Sequence, residues 1–252
     1  PTVAELTDSF NTMASELEKT EMLRSDFVND FSHEFKTPIV SIAGFARLLK
    51  NETLDREQRR EYLNIIEEES LRLSDMATNV LNLAKVENQQ ILSNVSAFNL
   101  SEQVRNCFLQ LEDKWSGKNL DADFDFGEVQ ICGNEELLRQ VWLNLLDNAV
   151  KFTPYGGEVR IKIEEREDSV CVSVINTGST VAPENRERIF RKFFQEDRSH
   201  STKGNGIGLA VVRQIVNLHG GSVWVESEQD CTTFKVLLPK TADERTGTLK
   251  NS

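Results

Sequence analysis

A chain of 252 residues with a formal net charge of −12 and 38% hydrophobic residues can hold one large or two modest domains with a real core. The acidic balance excludes broad, sequence-independent nucleic-acid binding, which phosphate neutralisation drives, so an anionic ligand must be held by local cations or helix N-termini. Cys107, Cys132, Cys171 and Cys231 form no C-x-x-C pair and read as small buried hydrophobes in a reducing compartment, and no run approaches the roughly 18 apolar residues of a membrane span.

Leu6, Phe10, Met13 and Leu17 step 4-3-4 as a short coiled-coil seam, which Thr20 and Arg24 interrupt. Apolar spacing resumes with Phe27, Phe31, Phe35, Ile42, Phe45 and Leu49. The polar stretch Asn51–Asp55 predicts a turn, and a second helix follows from Arg56 to Ile91, carrying Leu63, Ile66, Leu73, Met76, Val80, Leu83 and Val86. Two long amphipathic helices on a short loop predict an antiparallel hairpin. One hairpin has an apolar stripe too long to cover itself, so a homodimer closing a four-helix bundle is expected.

From Val95 the pattern changes. Ser101-Glu102-Gln103 is expected to cap a helix reaching Trp115, and the alternation in Leu120–Phe126 and Val129–Cys132 predicts strands. A strong helix is predicted from Asn134 to Lys151, then strands at Val159–Ile163 and Val170–Ile175. Gln195–Asn205 is polar and glycine-bounded, which predicts a mobile loop; Gly206–His219 reads as a helix, and Ser222–Val225 and Phe234–Leu238 as strands. This half is α+β, a mixed and mainly antiparallel sheet with helices on one face. The tail after Pro239 has no periodic signal and is predicted to be disordered.

The stretch His33-Glu34-Phe35-Lys36-Thr37-Pro38 carries the first chemistry. A helix turns about 100° per residue, so His33 points roughly 200° away from Phe31 and Phe35, out of the hairpin. Glu34 can accept the Nδ1 proton and leave Nε2 as a nucleophile. Thr37 lies one turn on, on the same face as His33, where its hydroxyl can orient a water toward anything attached to the imidazole. Pro38 crowds the carbonyl of Glu34, so the helix can bend at this turn. The bland alternative is an ordinary surface histidine.

The second half carries a weaker pattern, element by element. Asn144, Asn148 and Lys151 share one face of their helix, where a carboxamide oxygen can ligate Mg²⁺ and a lysine can meet phosphate. Asn176-Thr177-Gly178 ends a strand, and Gly204-Asn205-Gly206-Ile207-Gly208-Leu209 opens a helix, where glycines let the backbone approach phosphates. Each of these alone also fits an ordinary polar helix face or turn.

Together and in this order, the motifs resemble those of the sensor histidine kinases of bacterial two-component systems. His33 through Pro38 resembles the phosphoacceptor box, and Asn144 through Lys151 the N box. Asn176-Thr177-Gly178 sits where the G1 box belongs, Arg188 through Phe194 resembles the F box, and Gly204 through Gly208 the G2 box, with His219-Gly220-Gly221 before a strand also matching. Leu6 to Leu17 resembles the last helix of a HAMP signalling module. The resemblance implies a HAMP end over 1–20, a dimerisation and phosphotransfer hairpin over 21–92, an ATP-binding sandwich of the GHKL (Bergerat) type over 93–240, and a tail over 241–252.

The resemblance further implies that His33 is phosphorylated on Nε2 with ATP as donor, that Glu34 activates it, and that Thr37 positions water for dephosphorylating a response-regulator aspartate. It assigns Mg²⁺ to Asn148, nucleotide phosphates to Asn144 and Lys151, the adenine side to Asn176 and Gly178, and the phosphate loop and lid hinge to Gly204, Gly206, Gly208 and Leu209. The expected partners are a second copy and a receiver domain; the chain is expected to be the cytoplasmic portion of a longer protein anchored in the inner membrane through segments before residue 1. Three positions depart from the pattern. Asn176 stands where an aspartate usually accepts from the adenine amino group, which implies weaker ATP binding without charge assistance. Thr180 replaces a glycine, and Gln195 stands where an arginine often approaches the γ-phosphate, leaving Lys192, Arg198 and Lys203 as substitutes.

Overall fold

The computed structural model describes residues 3–51, 53–89, 91–195, 206–228 and 230–241. Most of the loop predicted at Gln195–Asn205 and of the tail after Pro239 therefore lies outside the described residues, as do the side chains of Leu6 and Leu17. The chain divides into two compact units, with the division between Ala77 and Thr78.

In the first unit, helix α1 spans Val3–Leu48 and is continuous both through the interrupted seam and through Pro38. After it, Asn51 Oδ1 accepts from the backbone N–H and hydroxyl of Thr53 at 3.1 and 2.9 Å, forming the polar turn expected there. Helix α2 spans Arg56–Asn88, ending before the predicted Ile91. Its start is a reciprocal box: Gln58 N donates to Asp55 Oδ1 at 2.8 Å, and Asp55 N donates to Gln58 Oε1 at 3.3 Å. Phe45 and Tyr62 meet between the helices with ring centroids 5.2 Å apart. In one copy Met76, Leu83 and Val86 of the stripe are buried, whereas Leu63 is 52% exposed, and Val40 and Leu71, outside the stripe, are 59 and 62% exposed.

The second unit holds two sheets. Strand β1 (Ser96–Asn99), not predicted, pairs antiparallel with β3 (Gln130–Gly133). The main sheet orders β2 (Asp121–Asp125), β4 (Glu158–Glu165), β5 (Ser169–Thr177), β7 (Cys231–Pro239) and β6 (Ser222–Glu228). Only β2–β4 is parallel; the other pairs are antiparallel, as the mixed sheet requires. Val170, Val172 and Val174 alternate along β5 toward the buried face, and helices α5 (Glu135–Phe152) and α6 (Gly208–Leu218) pack there.

The helix expected from Ser101 to Trp115 is two helices, α3 (Leu100–Leu109) and α4 (Glu112–Ser116). Its cap is Asn99, whose Oδ1 accepts from Glu102 N at 3.0 Å. Ser101 is used elsewhere: its hydroxyl donates to Gly127 O at 2.7 Å and accepts from Val129 N at 3.1 Å. Behind α3, fully buried Trp142 donates to Gln103 Oε1 at 2.7 Å, and Gln103 Nε2 donates to Glu135 O at 2.7 Å, which satisfies the indole N–H inside the core.

Candidate functional site

The hairpin unit presents the histidine as its periodicity predicts. Phe31 and Phe35 are half-buried with rings 4.2 Å apart, and His33 and Thr37 are exposed on the opposite side of α1. Thr37 Oγ1 donates to His33 O at 3.2 Å, which uses the hydroxyl proton and leaves its lone pairs facing solvent as acceptors for a water. Glu34 is half-buried against α2, where Arg72 Nη2 lies 3.5 Å from Glu34 Oε2. Arg72 carried no signal in the sequence, because a cation on an amphipathic helix reads as solvated surface.

In the second unit, Asn134 caps α5 by accepting from Leu137 N at 2.9 Å, with Glu135 and Glu136 in the first turn and Lys151 in the last, as the helix dipole favours. Lys118 closes the other end: its ammonium donates to the carbonyls of Val150, Lys151 and Thr153 at 2.8, 2.7 and 2.9 Å. Sequence reasoning missed this residue, and nothing local marks it. With both ends held, α5 presents Asn144, Asn148 and Lys151 as half-buried residues on the face beside its apolar stripe. The Lys151 ammonium sits 4.6 Å from the centroid of the Phe152 ring.

The Gly206-Ile207-Gly208 stretch meets this face. A Cβ on Gly208, at the start of α6, would fall 2.6 Å from Asn144 Oδ1, so the glycine lets that helix N-terminus approach the carboxamide without displacing it. Gly206 has φ +65°, and its carbonyl accepts from Phe193 N at 2.9 Å, joining the G2-like and F-like segments. Leu209 is half-buried in the first turn of α6, and Gly204 lies outside the described residues, as do Arg198 and Lys203. Lys192 is paired with Glu87 at 2.6 Å.

At the end of β5, Asn176 is only 2% exposed and faces the helix layer with Val172 and Val174. Its Nδ2 donates to Ser179 Oγ at 2.9 Å and reaches Thr177 O at 3.5 Å. The turn is pinned by Gly178 N donating to Asp230 O at 2.7 Å and by Thr232 Oγ1 donating to Ser179 O at 2.8 Å. Gly178 has φ +81° and abuts the ring of Pro154. Both bonds of the Asn176 amide nitrogen run into the turn. Ser179 is a second residue that sequence reasoning missed.

Beyond the site, buried His219 ties α6 to α5: its Nε2 accepts from Asn134 N at 3.1 Å and its Nδ1 donates to Ile215 O at 2.8 Å. Burial lowers its pKa below the usual 6.5, only partly opposed by the Ile215 hydrogen bond.

Residues 23–89 match the family of the His Kinase A (phospho-acceptor) domain, and residues 133–242 match that of the histidine kinase-, DNA gyrase B-, and HSP90-like ATPase. The two models fall in order on the outward histidine and on the carboxamide–glycine face. The chain belongs to the sensor histidine kinases. Among them it is similar to the sensor histidine kinase CusS of Escherichia coli, 32% identical over 92% of this chain and 48% of that protein. It therefore spans about half the length of that curated relative. The catalytic domain of histidine kinase ThkA is 31% identical with TM-score 0.55, covering 60% of this chain and 99% of that domain. ThkA in complex with response regulator protein TrrA is 29% identical, with TM-score 0.76 over 94% of this chain and 67% of that one. Full-length ShkA in complex with AMPPNP is 30% identical, with TM-score 0.61 over 89% of this chain and 47% of that one. In this chain a helical hairpin precedes an α+β unit, and the histidine stretch and the glycine-rich stretches lie in different units.

Proposed function

We propose that this chain transfers the γ-phosphoryl group of ATP to Nε2 of His33 and then to an aspartate of a response-regulator receiver domain, and that it also reverses the regulator's phosphorylation. The observation that carries this reading is an exposed histidine one turn from an exposed threonine, in a chain that also presents Asn144, Asn148 and Lys151 beside a glycine-opened helix N-terminus. ThkA, solved with a response regulator, and ShkA, solved with AMPPNP, support the partner and the nucleotide.

The residues divide the work. Asn176 Oδ1 accepts from the adenine amino group, while the face of Asn144 and Lys151 and the N-terminus of α6 hold phosphates. Asn148 is the residue suited to hold Mg²⁺, which when bound neutralises phosphate charge and leaves the protein mainly the task of positioning. Glu34 takes the Nδ1 proton as Nε2 attacks. Thr37 accepts from and aligns a water for the reverse reaction. We further infer that the exposed apolar residues of the hairpin, Val40, Leu63 and Leu71, pack on a second copy, and that α1 continues a HAMP-like helix of a membrane-anchored, cytoplasm-facing kinase.

The test is incubation with labelled ATP and Mg²⁺, comparing the unaltered chain with His33→Gln. Acid-labile label on the unaltered chain alone is the expected result. ATP binding without label would make the chain a nucleotide-binding scaffold instead.

A further inference from the structure

Three buried polar atoms without hydrogen-bond partners among the described residues meet around Glu34, the residue next in the chain to His33: Glu34 Oε2, Glu69 Oε2 and Arg72 Nε. Arg72 Nη2 is 3.5 Å from Glu34 Oε2, and Arg72 Nη1 is 3.9 Å from Glu69 Oε2, within ion-pair range of both carboxylates. Charge-assisted hydrogen bonds close to roughly 2.7–2.9 Å, and an arginine built only to brace a hairpin would hold one carboxylate through both prongs of its fork. Here one guanidinium is shared loosely by two carboxylates, and its side chain and that of Glu34 are only 21 and 24% exposed. Buried polar atoms left unpaired call for an explanation in a native fold. A cation that changes partner supplies one.

The charge count follows from the proposed reaction, on which this inference rests. Before transfer the cluster holds two carboxylates and one guanidinium. During transfer Nε2 forms a bond to the γ-phosphorus, the bond from that phosphorus to the bridging oxygen breaks with its electron pair leaving on ADP, and the Nδ1 proton passes to Glu34. Glu34 then needs no counter-ion, whereas a half-buried arginine still does. Glu69, one turn before Arg72 on α2, is placed to receive it. We propose that Arg72 and Glu69 are positioning residues for phosphorylation of His33: Arg72 holds the ionised Glu34, next to the histidine in the chain, to α2 until transfer, and Glu69 takes Arg72 over once Glu34 is protonated.

The test measures initial rates of His33 labelling against ATP concentration in the unaltered chain and in Glu69→Gln, Arg72→Gln, Arg72→Lys, Glu34→Gln and Glu34→Gln/Glu69→Gln. Glu69→Gln and Arg72→Gln should each lower kcat by on the order of tenfold with the KM for ATP unchanged, and Arg72→Lys should recover most of the loss. Adding Glu69→Gln to Glu34→Gln should cost nothing further, because Glu69 acts only through Glu34. Unchanged kcat in the single variants would overturn the proposal, as would additive losses in the double variant or losses that track a lowered thermal midpoint. Failure of the unaltered chain to label His33 would overturn the kinase reading itself and this inference with it; normal labelling with indifferent variants would overturn the inference alone.

Discussion

Asn176 Nδ2 donates to Ser179 Oγ over 2.9 Å, and that bond ties a buried carboxamide to its own turn. The Thr177 carbonyl, which can only accept, reinforces the same orientation at 3.5 Å. An aspartate has two equivalent oxygens and needs no such orientation; an asparagine does. On the proposed adenine contact, the asparagine would thus meet the base through a neutral acceptor held by its own turn.

That arrangement predicts base selectivity. Inosine triphosphate carries an oxygen where ATP carries the amino group, so it sets acceptor against acceptor and should bind on the order of tenfold or more weakly. Asn176→Ala should weaken ATP and remove the discrimination, and Ser179→Ala should narrow it by letting the amide turn over. Isothermal titration with both nucleotides measures this; equal affinities for the unaltered chain would refute the assignment.

Gly206 should tolerate no side chain. At φ +65° an alanine is already strained by about 1–2 kcal/mol, and its Cβ would fall 2.7 Å from the Phe193 carbonyl carbon and 2.8 Å from its Cα. Backbone cannot step aside as a side-chain tip can. Gly206→Ala is expected to raise the Kd for ATP at least tenfold while far-ultraviolet circular dichroism stays unchanged. Wild-type affinity in that variant would show that the link between Phe193 and Gly206 is dispensable for the site.

Thr37→Ala should separate the two activities. Thr37 is exposed, and its hydroxyl donates to the carbonyl of His33 in its own helix, so the substitution should alter stability by less than about 0.5 kcal/mol. Labelling of His33 should persist, and dephosphorylation of the cognate regulator should fall by about 10²-fold, with Thr37→Ser retaining most of it. Regulator dephosphorylation at the normal rate in the alanine variant would remove Thr37 from the mechanism.

His219 predicts a pH dependence. Burial lowers its folded-state pKa below the unfolded value of 6.5, so below that pH the unfolded chain binds a proton that the folded chain resists. Its contribution is full above about pH 6.5 and is lost progressively as pH falls toward the folded-state value. Urea midpoints of the catalytic unit should therefore decline from pH 7 to 5, and His219→Gln should flatten that decline. An equally steep decline in the variant would assign the effect to other groups.

Much of the architecture was legible because it is periodic. The spacing of Phe31, Phe35, Ile42 and Phe45 placed a helix face and left His33 opposite it, and the alternation in β4 and β5 named a sheet face before any pairing was known. What failed was decided at a distance. Ser101 and Asn99 are both good helix caps, and the choice fell to Asn99 because the Gly127 carbonyl and Val129 amide engage the Ser101 hydroxyl. Strand β1 is four residues long and exists through its pairing with Gln130–Gly133. Lys118 caps α5 from a loop more than thirty residues earlier in the chain, a relation that no local pattern carries.

The sequence by itself determined the two helices and their loop, the α+β character of the second half, the outward histidine with its glutamate and threonine, and the order of the nucleotide motifs, since these rest on side-chain period, capping chemistry and residue type within a few positions. Only the tertiary structure decided that Arg72 and Glu69 stand at Glu34, that Ser179 orients Asn176, and that Lys118 and His219 hold the ends of the helices beside the pocket. Hydrogen bonds and ion pairs act over about 3–4 Å of space whatever the separation along the chain, so these relations exist only once the backbone has brought the groups together.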